Sequence, residues 1–166
     1  MASHGSWWGG RSRQFLSHVR AAVRPSERQD LAAWLTAAQL QLFESMHVAD
    51  QRHGLDVVAS LRSEGATDPD LLLAGLLHDA GKGDTGVWPR VAWSLGERYG
   101  HWVWRVAGVA LGFRGPMARL ATHAQRSAAL AAQAGCSDRT VALIRQQSEP
   151  GDDRFGQLLK LADEAN

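Results

Sequence analysis

The sequence has little of several residue types and patterns, and each shortage narrows what the protein can be. Cys136 is the only cysteine among 166 residues, which excludes an internal disulfide and a cysteine-based zinc cage. The formal net charge is +1, so charge gives no argument for binding a nucleic-acid polymer or a membrane surface. No apolar run reaches the roughly 18 to 20 residues of a membrane span, and the first residues lack the apolar core of a signal peptide. We therefore expect a cytoplasmic protein.

Strand-like alternation of polar and apolar residues is also absent, whereas apolar spacings of three, four and seven recur along the chain. The length and the hydrophobic content of 45% suit one domain with an adequate core. We predict an all-α, single-domain helical bundle. Residues 1–24 would form an N-terminal arm and a first helix, and residues 25–166 the helical domain. With seven tryptophans, the sequence also allows a homo-oligomer with a buried interface.

Prolines and capping residues predict where the helices begin and end. A first helix over residues 11–23 is expected to end at Pro25. One helix covers about residues 49–63, and the "TDPD" stretch opens a central helix over residues 71–79. One or two helices are expected over 88–111 and another over 116–134. The predicted N-caps of the other helices are Ser26, Thr36, Ser137 and Asp152.

Several titratable residues fall on the apolar faces of these helices. His53 shares a stripe with Val57 and Leu61, at spacings of four and eight residues. The central helix is apolar on nearly every side and ends in an imidazole and a carboxylate placed next to each other. The inward-facing polar residues are His53, His78, Asp79, His123 and Asp163.

Each of these residues alone has an ordinary structural explanation, such as a hydrogen-bonded core histidine or an aspartate paired with an arginine. The set is harder to explain in this way, because a buried charge without a partner is costly. His53, His78, Asp79 and Asp163 offer two imidazole nitrogens and two carboxylates from three helices, which suit a divalent metal. We therefore favour a metal site over separate structural roles.

The order and context of these residues resemble the signature of the HD superfamily of metal-dependent phosphohydrolases. The stretch "HDAGKGD" (residues 78–84) resembles the central motif of that family. The stretches "RHGLDVVASL" (52–61) and "LLKLADEAN" (158–166) resemble the helices that carry its first histidine and its last aspartate. The likeness spans about residues 46–166 and is nearest to small bacterial HD proteins without an assigned substrate.

The resemblance implies a fold, a site and a chemistry. The fold would be a bundle of helices with one divalent transition metal (Mn, Fe, Co, Ni or Zn, with Mg as a further option) bound between them. The ligands would be His53, His78, Asp79 and Asp163. The activity would be hydrolysis of a phosphomonoester or nucleotide-like substrate by a metal-activated water. The alternatives are a non-catalytic HD module that binds a nucleotide and signals, and a di-iron oxygenase of the HD type.

Departures from the family pattern bear on the number of metals. His123 stands where two-metal members place an additional ligand, and is a candidate ligand here. Gln146 and Gln147 stand where the next histidine would be expected, and an amide is a poor substitute for imidazole on a transition metal. His101 is the one other histidine that could replace it, although its tryptophan neighbours suggest packing. We therefore expect no permanently bound second ion.

The remaining candidates concern catalysis and substrate binding. Asp79 would orient or deprotonate the attacking water, and Lys82 would contact the phosphoryl oxygens from a glycine-rich loop. The chain has only two lysines, so a lysine at this position suggests a specific role. Arg52 is a candidate phosphate contact, with a surface salt bridge as its alternative. Asp56 is expected to orient an imidazole, and Asp84 to be a loop residue.

Overall fold

The computed structural model describes residues 22–83 and 122–166, and these two ranges are helical with no strand. The all-α prediction is confirmed for this part of the chain. The predicted helices over 11–23 and 88–111, the first part of the one over 116–134, and the residues Asp84 and His101 lie outside it. The helices are α1 Pro25–Ala32, α2 Ala37–Ser45, α3 Val48–Ser63, α4 Pro69–Leu77, α5 His123–Gln133, α6 Asp138–Arg145 and α7 Arg154–Ala165, and a 3-10 turn spans Ala80–Lys82.

Helix α4 is the centre of the bundle. All residues from Leu71 to Leu77 are buried, and the helix contacts α2, α3, α6 and α7. Its start is set by Asp68, whose side chain accepts a hydrogen bond from the backbone N–H of Leu71, and by Pro69 at the first helical position. Because other helices cover every face of α4, the residues that directly follow its C-terminal end also lie inside the protein. His78 and Asp79 follow there.

The predicted helix starts are partly right. Thr36 and Ser137 cap α2 and α6, each accepting a hydrogen bond from a backbone N–H three residues on. The predicted start of α1 is wrong, because the helix begins at Pro25, with Arg24 as its N-cap, and not after Ser26. A proline loses nothing at the first helical position, where its missing N–H has no partner in any case. The cap of α7 is Asp153, one residue after the predicted Asp152.

Helices α3 and α4 approach each other closely at Gly54. A Cβ atom at this position would lie 2.5 Å from the carbonyl oxygen of Leu76, so only glycine allows this spacing. The close approach brings His53, the neighbour of Gly54, beside the end of α4. None of the helices in the described ranges is long and apolar enough to cross a membrane.

Candidate metal centre

Three helices each contribute one side chain to a single cluster. Oδ1 of Asp163, on α7, lies 2.8 Å from Nε2 of His53, on α3, and 3.3 Å from Nε2 of His78, at the end of α4. The two imidazole rings meet edge to face, with their centroids 5.2 Å apart. One ligand atom from each residue lies within 4.8 Å of those of the other two. The sequence predicted these three residues, and the fold brings them together.

His78 has one ring nitrogen committed to the backbone and the other directed into the cluster. Its Nδ1 lies 2.9 Å from the carbonyl oxygen of Gly75. A carbonyl can only accept, so Nδ1 carries the hydrogen and donates it. Nε2 is buried and has no hydrogen-bond partner, because Asp163 lies near it without suitable geometry. In a neutral His78, the form that binds a metal, this buried nitrogen would have no donor beside it, which is costly, and a cation bound to it would remove the cost.

This donor set fits a divalent transition metal. Imidazole nitrogens and carboxylate oxygens are suitable ligands for Mn, Fe, Co, Ni and Zn ions. The bond from Nδ1 of His78 to Gly75 fixes the ring orientation, as the outer hydrogen bonds of metal-ligating histidines usually do. The residues that would hold the ion are His53, His78 and Asp163, with Asp79 next to them.

Asp79 lies beside this group and faces it with one oxygen. Its Oδ2 is 3.6 Å from Nε2 of His78 and 3.9 Å from Nε2 of His53. The same oxygen accepts a hydrogen bond from the ammonium of Lys82. Oδ1 points the other way, 3.8 Å from Nε2 of His123. Asp79 therefore joins the predicted ligands to the two further candidates, Lys82 and His123.

Lys82 is positioned by the tight packing of its turn against α5. The backbone N–H of Gly81 donates to the side chain of Ser127, which is fully buried on α5. A Cβ on Gly81 would lie 2.5 Å from both the carbonyl oxygen of His123 and the backbone nitrogen of Ser127. Gly83 then has a φ of 61°, a left-handed conformation that favours glycine. Glycines on both sides thus allow the lysine to reach Asp79.

Two polar residues at the site were not predicted. Asp50 is buried on α3, one helical turn before His53, and its negative charge acts on Lys82. The spacing of three residues from His53 is the signal in the sequence that could have identified it. Gln147 is buried and donates from its side-chain amide to the carbonyl oxygen of His78. Gln147 therefore supports the carbonyl end of α4.

Arg52 is engaged in ion pairs on the surface of α3. Its guanidinium contacts Glu27, at 2.8 Å, and Asp56, at 2.9 Å. Burial of Glu27 opposes its charge, but hydrogen bonds from Arg52 and Arg24 lower its pKa to about 2. The structure thus shows Arg52 in a salt bridge, which was the alternative to its predicted role as a phosphate contact. Asp56 pairs with Arg52. Among the hydrogen bonds of the described ranges, none joins Asp56 to an imidazole.

The cluster strongly perturbs the titration of its members. Burial lowers the pKa of His78, but the charges of Asp79 and Asp163 outweigh this effect and raise it to about 9. Burial raises the pKa of Asp79, yet His78 and Lys82 hold it well below its usual range. Burial likewise opposes ionisation of Asp163, and the two histidines overcome it and lower its pKa. Burial disfavours the charged form of Lys82, but Asp79 and Asp50 raise its pKa.

These shifts predict a pH-dependent stability for protein kept metal-free with EDTA. His78 has a folded pKa of about 9, above its ordinary 6.5, so its stabilising effect is complete below about pH 6.5 and is lost as the pH rises through 9. The difference corresponds to roughly 3 kcal/mol. Asp79 and Asp163 have lowered pKa values, so their contribution is present above about pH 4 and is lost in acid.

We therefore expect the free energy of unfolding in EDTA to be greatest between about pH 4 and 6.5 and to fall towards pH 9. Urea unfolding across this range measures it. A His78→Asn variant serves as the control, since it should lack the decline between pH 6.5 and 9. Equal stability of the wild-type protein at pH 6 and pH 9.5 would contradict the prediction.

Comparison of the chain with protein-family models, with curated proteins and with solved structures gave no match.

Proposed function

We propose that the protein is a metal-dependent phosphohydrolase of the HD type, acting on a phosphomonoester or nucleotide-like substrate. The observation that carries the proposal is the convergence of His53, His78 and Asp163 from three helices, with the buried Nε2 of His78 lacking any hydrogen-bond partner. The order of these residues along the chain, and the His-Asp pair at the end of a buried helix, support the resemblance to HD phosphohydrolases. A cytoplasmic location is part of the same proposal.

A divalent cation bound at this cluster would lower the pKa of a coordinated water from 15.7 towards about 7 and polarise a phosphoryl oxygen. The protein's own residues have three tasks around it. His53, His78 and Asp163 hold the cation. Asp79 accepts a hydrogen bond from the attacking water and orients it. Lys82 supplies positive charge to the phosphoryl oxygens as negative charge develops there.

The contacts of Asp79 and Lys82 support these two roles. Asp79 is almost fully buried but remains ionised, because His78 and Lys82 lower its pKa. An ionised carboxylate is an acceptor on both oxygens, so it can orient a water next to the imidazoles. Lys82 is partly exposed, with 24% of its side chain accessible, and is in contact with Asp79. Its ammonium is therefore both anchored at the cluster and within reach of a ligand entering from solvent.

The pKa of His78 also makes metal binding dependent on pH. An imidazolium cannot bind a metal, so the ion must displace the proton that the carboxylates favour. Metal affinity is thus expected to rise with pH up to about 9, the pKa of His78. Isothermal titration in two buffers with different ionisation enthalpies would show proton release on binding.

The proposal is tested by metal analysis followed by a substrate screen. Protein purified without chelators should contain about one divalent ion per chain. Phosphomonoesters and nucleotides are then screened with Mn²⁺, Co²⁺ or Fe²⁺, comparing the wild-type protein with Asp163→Asn, which keeps the shape of the side chain but loses the charge. Arg126→Gln is a control, since Arg126 is an exposed residue of α5.

The expected result is metal-dependent release of phosphate that is lost in Asp163→Asn and kept in Arg126→Gln. One bound ion without hydrolysis of any substrate, together with tight nucleotide binding, would favour the non-catalytic HD module. Absence of any bound metal would contradict the proposal. Two retained iron ions would favour the oxygenase. Gln147, which lies beside His78, provides no histidine ligand for a second iron.

A further inference from the structure

The peptide group that joins His78 to Asp79 is held by a side chain from a distant part of the chain. Its carbonyl oxygen, which belongs to His78, accepts a hydrogen bond at 3.2 Å from the side-chain amide of Gln147, two residues after the end of α6. The last carbonyl groups of a helix have no partner within that helix, so a buried one needs a donor from elsewhere. Gln147 and His78 are both buried, and this bond therefore belongs to the interior beside the proposed metal centre.

This bond acts on two side chains of the centre at once. A peptide group is planar, so a bond that fixes its carbonyl fixes the orientation of the whole plane. The plane between His78 and Asp79 sets the ψ of His78, −26°, and the φ of Asp79, −99°. These angles determine how the imidazole lies relative to the carboxylate, with Nε2 of His78 3.6 Å from Oδ2 of Asp79.

Other contacts fix the parts of this segment that Gln147 does not reach. The ring of His78 is oriented by the bond from its Nδ1 to the carbonyl oxygen of Gly75. The far end of the segment is held by Ser127 of α5, which accepts a hydrogen bond at 2.8 Å from the backbone N–H of Gly81. Helices α5 and α6 pack on each other, so residues from one pair of helices hold both ends of the segment.

We infer that Gln147 is a positioning residue of the metal centre, which holds the peptide between His78 and Asp79 so that both side chains face one cation. The inference rests on the proposed metal-dependent function and deepens it. Gln147 acts through the two residues and not by contact with the ion. Without its amide, the buried carbonyl of His78 would lose this donor, and the peptide plane would turn towards another one. Ligands that are held in place before binding give a higher affinity, because less ordering remains to be done.

Helix α6 offers a matched hydrogen bond at the other end of α4. Thr140 is fully buried on α6, and its hydroxyl donates at 2.9 Å to Oδ1 of Asp70, in the first turn of α4. Thr140→Val removes this bond and keeps the shape of the side chain. It therefore measures what a buried bond to α4 contributes to stability at a point remote from the ligands.

The experiment titrates metal-free protein with Co²⁺ alone, because the visible spectrum of bound Co²⁺ depends on the number and arrangement of its ligands. The wild-type protein is compared with Gln147→Met, which keeps the length of the side chain but loses the donor. Gln147→Asn keeps the amide but is one methylene shorter, so it withdraws the donor in a different way. Thr140→Val is the control, and urea unfolding in EDTA gives the stability of each variant.

Both variants of Gln147 are expected to bind Co²⁺ at least about 10-fold more weakly, since loss of an outer partner of a metal ligand typically lowers affinity 10- to 100-fold. The spectrum of the bound Co²⁺ should also change. Thr140→Val should lose stability but keep the wild-type affinity and spectrum. A residue with a purely structural role would change the stability alone.

Wild-type affinity and spectrum in a folded Gln147 variant, or an equal loss of affinity in Thr140→Val, would overturn the inference and leave the metal centre in place. Failure of both Gln147 variants to fold would also overturn it, because the bond would then serve the fold and not the arrangement of the ligands. If the wild-type protein bound no Co²⁺, the centre itself would be absent, and the proposed function would fail with it.

Discussion

Replacing His78 by alanine is expected to abolish metal retention. Nε2 of His78 is the one buried ring nitrogen of the described residues that lacks a hydrogen-bond partner, and it points at Asp163 and His53. Loss of an outer hydrogen-bonding partner of a metal ligand already costs 10- to 100-fold in affinity, so loss of a ligand should lower the affinity by at least about 10²-fold. Any metal-dependent hydrolysis should fall to background.

Dialysis followed by elemental analysis measures the effect. His47→Ala is the matched control, because His47 is an exposed histidine at the start of α3 whose Nδ1 accepts a hydrogen bond from the backbone N–H of Ala49. Melting in EDTA separates loss of the metal from loss of the fold. Full metal occupancy in a folded His78→Ala protein would show that the site is wrongly assigned.

The second large effect is expected for Gly81→Ala. The added methyl would lie 2.5 Å from two backbone atoms of α5 and 2.7 Å from Cβ of Arg126, so the turn or the helix must move. Overpacking of this kind costs roughly 1 to 3 kcal/mol, or about 2 to 12 °C in melting temperature for a chain of this size. The movement would also displace Lys82 from Asp79, so activity should fall further than stability alone explains.

Gly65→Ala is the control for Gly81→Ala. Gly65 has a φ of 82°, but nothing lies within 4 Å of a Cβ at this position, so only backbone strain of about 1 kcal/mol is expected. Urea unfolding of both variants gives the comparison. If Gly81→Ala were as stable as Gly65→Ala, the close packing of the turn against α5 would not be important for the fold.

The sequence was sufficient to predict the helical class and the residues of the site that lie on regular helices. His53 and Asp163 could be placed because helical spacing aligns them with Val57 and Leu159, which are fully buried. His78 and Asp79 could be placed because they follow an apolar helix that has to be central. Because a helix has a regular period, the position of a residue along the chain determines the direction of its side chain. This is why these predictions were possible.

Residues whose roles depend on contacts between helices could not be predicted in the same way. Gln147 supports the carbonyl oxygen of His78 from 69 residues away, and no local pattern encodes that contact. Arg52 was a candidate for phosphate because its partner Glu27 lies 25 residues earlier, on α1. The start of α1 was misplaced at Ser26 because proline can precede a helix or begin it, and only the surrounding backbone distinguishes the two cases.

The hydrogen bond between His53 and Asp163 joins positions that are 110 residues apart in the chain. A cation held by both residues would act as a crosslink across this long loop. Because the unfolded chain does not hold the ligands together, the ion binds the native state selectively and stabilises it by about 4 kcal/mol at a thousand times its dissociation constant. Supply of the metal would therefore set how stable the folded protein is, in addition to any chemistry at its centre.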